Sequence, residues 1–514
     1  MQHTAENYNP FRRVREVDCR ITFGVMDQNA KNAAITGNDA GFFPRYAETV
    51  DGVNEIGGKW ASLERDFWRL DGTYDLAPDN MDGVQTGWWS SSVSGEDGRF
   101  ENPPYIRYDF GAPLSTLGWT IHFDEKTGQF AAEVVVDVFG ADGAVMETLT
   151  FSQDKPLQAF RHYVGDYYGV RFTFPRTSEA FRRVRVVQVD FGLTQYYDRD
   201  TLGSAQIIYG VSPDGTAFPS RELVFTFDNS DKAYNLLNPD GVYQYLQDGQ
   251  IINAKIVIDG EAVDMGDFIF TSADVTQSAI LPTITAHDRA YSLDAYEFNG
   301  GRDEETSLST AVAEVLGVTG YDIPVSFGDG IASRRVHMSV KVGTTVRKAI
   351  QQLAQAARCT LYIDRDGVMR FVDLVIRDIP DGEITDDDLY DYSGVSISER
   401  VHGVRLTVSD DFRIGKDGTP GRQVYFYAGD ENRAAGYANP CISDSEGQAV
   451  ADWLLSAANL RKRYKVKNRC DPAVEVSDTL RIADAFYNRE NAVVTGIEVS
   501  FGVSLSAVTE AVGV

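Results

Sequence analysis

The sequence predicts a mainly β chain with α+β parts, in which strand-rich segments flank one small α/β module. Three observations carry this. Within residues 336–374 the hydrophobic period changes from 3.6 to two. Short alternating segments recur on both sides of that stretch. Helical spacing interrupts them at only a few places, and 514 residues with 43% hydrophobic composition suit three or four modules, each with its own core.

In the α/β stretch, Thr344 or Thr345 can cap a helix whose apolar residues Val346, Ile350, Leu353, Ala354 and Ala357 share one face. Arg347, Lys348, Gln351, Gln352 and Gln355 are then left for water. Leu361 and Ile363 next alternate with Tyr362 and Asp364, and Asp366-Gly367 makes the tight turn that returns the chain through Met369 to Val372. A helix carrying Leu308, Val312, Val315 and Leu316 precedes this unit and stops at Gly317.

Residues 11–75 read as strands and turns, and Trp60, Phe67 and Trp68 there suit core or subunit contacts. From 78 to 192 several short strands follow at regular spacing, as in a β-sandwich. Ile106, Tyr108 and Phe110 alternate with Arg107 and Asp109, and Asp142-Gly143 marks a hairpin. After Gly192 the earlier pattern resumes to about residue 300, so the sandwich reads as an insertion.

Beyond the α/β unit, residues 378–391 hold many carboxylates without the spacing or glycine of an EF-hand loop, which favours a solvated linker over a calcium site. More strands follow. A helix then starts near Ser443, with a capping box to Glu446 and a buried stripe of Val450, Trp453, Leu454 and Ala457. Next comes the densest positive charge in the chain, LRKRYKVKNR, with Arg461, Lys462, Arg463, Lys465 and Lys467. Its first three cations suit a helix C-terminus, and the whole band is a candidate contact for an acidic neighbouring subunit.

A formal charge of -28 disfavours a grip on nucleic acid and suits simple solubility first, or else an acidic wall along which DNA slides. Cys19, Cys359, Cys441 and Cys470 are widely separated and form no metal or disulfide pattern, so they read as reduced thiols. The six histidines are dispersed, and no run reaches the ~20 apolar residues of a membrane span. No hydrolase elbow, zinc-protease helix, Walker loop or dinucleotide-binding turn occurs. No catalytic residue, metal site or cofactor is therefore expected.

The element order, with KWASLERDFWRLDGTYDL early and ANPCISDSEGQAVADWLL, RCDPAVEVSDTLRI and NAVVTGIEVSF late, resembles phage tail-hub or baseplate-hub proteins. Those proteins form the ring that joins the tail tube to the tail tip. The resemblance implies a first hub β-barrel from residues 1–77 plus 196–300, an α/β hub module at 301–377, and a second barrel with one helix at 378–514. It implies a structural homotrimer whose two similar barrels per chain let a threefold ring meet a sixfold tube. Its partners would be the tail tube or distal tail protein and tip or spike proteins, with DNA passing through the channel unbound. The chain would be made in a bacterial host cytoplasm and reside at the virion tail tip.

Within 78–195, WWSS, PPYIRYDFG, GWTIHFD and a closing Val/Arg-rich strand resemble galactose-binding-like, discoidin-type jelly rolls. That resemblance implies a glycan site on loops at one end of the sandwich, here Trp88, Trp89, Asp97, Arg99 and Tyr105. Aromatic faces would cover a sugar ring while the polar groups bond its hydroxyls. A host-surface glycan is the corresponding partner. Two other classes stay open: a stand-alone glycan-binding protein, and a glycoside hydrolase with an accessory sandwich.

Overall fold

The computed structural model of the chain describes residues 8–26, 30, 35–39, 88–123, 130–230, 232, 234–235, 246, 249–274, 281–321, 323–390, 394–409, 423–483, 489–502 and 504–513. The expected contacts at Trp60, Phe67 and Trp68 lie outside these residues. The fold is mainly β with α+β parts, as the alternation predicts. Contacts divide it into two compact units, one of Met1–Thr22, Tyr196–Tyr243 and Ile251–Val514, the other of Phe23–Gln195 and Gln244–Gln250.

The second unit is a sandwich folded from one hydrogen-bonded sheet. Its two long strands, Tyr105–Phe123 and Leu157–Thr177, pair along their length, but register shifts between Asp109 and Gly118 break the ladder. Before the break the pair continues into Ala131–Phe139, Val145–Ser152 and Ile35–Asn38. After it the sheet continues into Arg185–Asp190 and Trp88–Trp89.

The two half-sheets face each other through aromatic side chains. Phe172 and Phe174 of one meet Trp119 and Phe123 of the other, each pair at 6.0 Å and near right angles. At the break, Gly118 has φ +144, and a Cβ there would stand 1.8 Å from the Phe160 carbonyl oxygen. Only glycine allows the two strands to close at that point.

In the first unit a long antiparallel sheet runs in the order Gly394–Ile397, Lys462–Asn468, Leu505–Gly513, Arg489–Phe501, Leu202–Gly210, Glu222–Phe227, Thr283–His287, Glu261–Asp274, Ile251–Ile258. Strands from before and after the α/β stretch are thus neighbours, joined where Ala205 pairs Phe501 and Gly210 pairs Gly496. One face of this sheet is buried and the other meets solvent: in Leu202–Gly210, Ala205, Ile207 and Tyr209 are buried while Ile208 is exposed.

The α/β stretch folds much as its periods predict. Thr345 caps the helix Val346–Ala356 by accepting the Lys348 amide, and the strands Thr360–Ile363 and Met369–Val372 pair across a turn at Gly367, φ +76. The expectation of a single buried face needs correction. Gln351 and Gln355 are 3% and 4% exposed, and their amides donate to the carbonyls of Gly215 and Asp214. The helix is covered on a second side, and these donors are satisfied by backbone rather than water.

The last helix, Gly447–Ala458, starts later than expected and has no side-chain cap. Ser443 donates instead to Glu305, and Glu446 accepts from Arg358 at 2.7 Å, so no capping box forms. Val450, Ala451 and Leu454 are buried, while Trp453 and Ala457 are half-buried. This helix shares one core with Leu308–Gly317, Val346–Ala356 and the small sheet of Gln423–Gly429, Gly403–Ser409 and Ala434–Ala438.

Candidate functional site

The five residues expected at a sugar site divide into two groups. Trp88 and Trp89 form a short strand against Val186 and Arg185, and each is only 2% exposed. Trp88 lies 5.8 Å from the Phe174 ring, and the buried Arg185 guanidinium sits 4.2 Å over Trp89. Neither ring offers a face to a sugar, which corrects the expectation: both indoles pack the sandwich, and a cation already occupies one face of Trp89. Asp97 and Arg99 are exposed on the following loop, where Asp97 accepts the Arg99 amide at 3.0 Å and the Arg99 side chain lies 3.8 Å from Glu133. Tyr105 is half-buried, with the Arg171 guanidinium 5.9 Å from its ring centre.

Tyr105 belongs to a network that sequence reasoning did not single out. On the outer side of the first half-sheet, Arg107 pairs with Asp109 at 2.8 Å and Arg171 with Asp137 at 2.6 Å. Thr148 donates to Asp137 and Thr36 to Asp109, both at 2.7 Å. The Arg107 hydrogen bond holds the Asp109 carboxyl below its usual range. Arg107 also lies 4.1 Å over Phe139, so an apolar ring is covered by cations rather than by another layer. The only linear trace of this cross-strand ladder is the alternation of Arg107 and Asp109 with apolar neighbours.

The basic band is a strand, not a helix terminus. The helix has ended at Ala458, and Lys462–Asn468 pairs on one side with Gly394–Ile397 and on the other with Leu505–Gly513. Tyr464, Val466 and Asn468 point inward while Arg463, Lys465 and Lys467 are exposed, a period of two that overrides the helix-dipole reading. Arg461 donates to the Ser398 carbonyl at 2.9 Å. Lys462 pairs with Glu490, which also accepts from Tyr464, and Lys465 pairs with Glu510 at 2.9 Å. Each carboxylate raises its lysine pKa. Arg463 and Lys467 make no ion pair among the described residues, leaving two uncompensated charges beside the exposed strand Gly394–Ile397.

Two carboxylates of the acidic stretch accept from backbone amides, while Asp386 and Asp387 are exposed. Asp388 accepts from the Thr385 amide and hydroxyl, and Asp381 accepts from the Thr479 amide and from Arg377. Among the described residues no three His, Cys, Asp or Glu side chains gather as metal ligands, and no helix is long and apolar enough to cross a membrane. All four cysteines are buried free thiols, and burial pushes Cys19 and Cys470 up to about 12.

No family model and no curated protein matches the chain. Among solved structures it is similar to a tail protein from Neisseria meningitidis, 12% identical with a TM-score of 0.45 over 62% of this chain and 93% of that one. It is also similar to a prophage 43 kDa tail protein from Shewanella oneidensis, at 15%, 0.43, 62% and 96% respectively. A prophage tail protein from Listeria monocytogenes matches at 8% identity and a TM-score of 0.39, over 62% and 91% of the two chains. These likenesses are remote in sequence and partial in shape.

Proposed function

We propose that this chain is a structural subunit of a phage tail or phage-derived tail particle, acting as a trimeric hub ring between the tail tube and the tail tip. The observation that carries the reading is the long antiparallel sheet that joins strands from both sides of the α/β module, with one face buried and one in water. It ends at Gly394–Ile397, whose four residues are all exposed. Such a sheet presents a broad solvent-facing wall and an edge for a neighbour, which is what a closed ring needs. The hub-like phrases at both ends of the sequence support the same reading.

In this account function lies in interfaces rather than in a reaction. The net charge of -28 keeps DNA from adhering to the channel. Arg463 and Lys467, beside the ion-paired Lys462 and Lys465, dock an acidic face of the tube or of a neighbouring subunit. With both indoles buried, any glycan contact falls to Asp97, Arg99 and Tyr105 and is weak per copy, gaining strength from three copies in one ring.

Negative-stain images of the purified chain test the proposal. Threefold rings with a central hole are expected, alone or once tube protein is added. Featureless single particles under both conditions would remove it.

A further inference from the structure

Two arginines in this acidic chain lie side by side with backbone oxygens as their partners. Arg15 donates to the carbonyls of Pro10, Arg469 and Cys470, the last at 3.1 Å. Arg469 donates to the carbonyls of Arg12 and of Phe11, the latter at 2.9 Å. A guanidinium carries five N–H donors, so these bonds leave two on Arg15 and three on Arg469. Neither side chain makes an ion pair among the described residues. Burial first, and then the neighbouring Arg469 charge, lower the Arg15 pKa.

Both arginines line a cleft of about 250 Å³ that also holds Arg199, Tyr390 and Ser504. Arg199 is exposed; its backbone amide donates to Asp18 at 2.9 Å, and its side chain has no partner among the described residues. The Tyr390 ring is half exposed, and its hydroxyl donates to the Leu505 carbonyl at 3.2 Å. Against these three cations the lining holds one carboxylate, Glu16. In a chain of net charge -28, a concave concentration of unpaired guanidinium groups calls for an external anion.

We propose that this cleft binds a phosphate group, with Arg15 and Arg469 as fixed donors and Arg199 closing over it from the rim. Planar N–H pairs match two oxygens of a tetrahedral anion at once, and the carbonyl bonds already hold two of the three forks in place. The site is independent of the hub assignment and stands whatever ring the chain forms.

The test is calorimetric titration of the full chain, at constant ionic strength, with inorganic phosphate, glycerol 3-phosphate and a short oligonucleotide in separate runs. Saturable binding of the first two is expected. Arg199→Glu, which breaks no side-chain hydrogen bond among the described residues, should weaken it about tenfold, whereas the same charge change at the exposed Lys341 (Lys341→Glu), which does not line the cleft, should not. Heats no different from matched chloride would overturn the proposal. So would equal weakening by both variants, which would mean diffuse attraction. Binding of the oligonucleotide alone would overturn a discrete phosphate site in favour of polyanion attraction.

Discussion

The Arg365 guanidinium donates to the Tyr209 hydroxyl at 2.8 Å. Arg365 sits at the tip of the hairpin Thr360–Val372, and Tyr209 lies in the sheet strand Leu202–Gly210. The same guanidinium reaches the carbonyls of Val474 and Pro472 and pairs with Glu475 at 3.3 Å. One buried cation therefore ties together three segments far apart in sequence. Replacing it with Met leaves several acceptors buried without a donor and should cost ~3 kcal/mol in urea unfolding. Tyr209→Phe, which removes one hydroxyl, should cost ~1 kcal/mol.

Asp288 gives the fold a pH dependence. Its carboxylate accepts the Arg221 and Ala290 amides, but burial outweighs the nearby Arg221 charge and raises its pKa to about 6. The folded value lies above the unfolded ~3.9, so the folded state holds the proton more tightly. Its contribution is fully present below about pH 4 and is lost as pH rises through about 6. In urea unfolding, wild type should therefore lose roughly 2 kcal/mol relative to Asp288→Asn between pH 4 and pH 7. A difference independent of pH would contradict this placement.

The thiols should be inert. Cys19, Cys359, Cys441 and Cys470 are each at most 1% exposed, and only the thiolate reacts quickly. Ellman's reagent should modify none of them in the native chain within minutes and all of them in guanidinium. Rapid labelling of the native protein would mean that a core opens readily.

Much of the architecture can be read from periodicity, because period is a local property. The helix Val346–Ala356, the turn at Gly367 and the alternating strand at Ile106 and Tyr108 all lie where the pattern puts them. What escaped depends on distant partners. Gln351 looks solvent-facing until Gly215, 136 residues away, supplies a carbonyl. Trp89 looks like a ligand platform until Arg185 covers it. In the basic band the alternation of Tyr464, Val466 and Asn468 is visible in the sequence, but its closeness to a helix end suits its cations equally well, and only the strand partners on either side decide between the two. Arg15 and Arg469 are 454 residues apart, and no linear pattern joins them.

The exposed strand charges should matter for assembly and little for folding. Arg463→Glu with Lys467→Glu removes no ion pair among the described residues, so stability should change by less than about 1 kcal/mol. If the strand docks an acidic neighbour, association should weaken at least about tenfold, and salt should weaken the wild-type contact in the same direction. Sedimentation of wild type and variant at two salt concentrations reads both effects.

The proposed hub is a ring of three copies of this chain. Light scattering of the full-length protein across a wide concentration range, alone and with tube protein, tests it most directly. A species of three times 56.9 kDa that persists on dilution or forms when the tube is added is expected. A mass of one chain at every concentration and in both mixtures would contradict it.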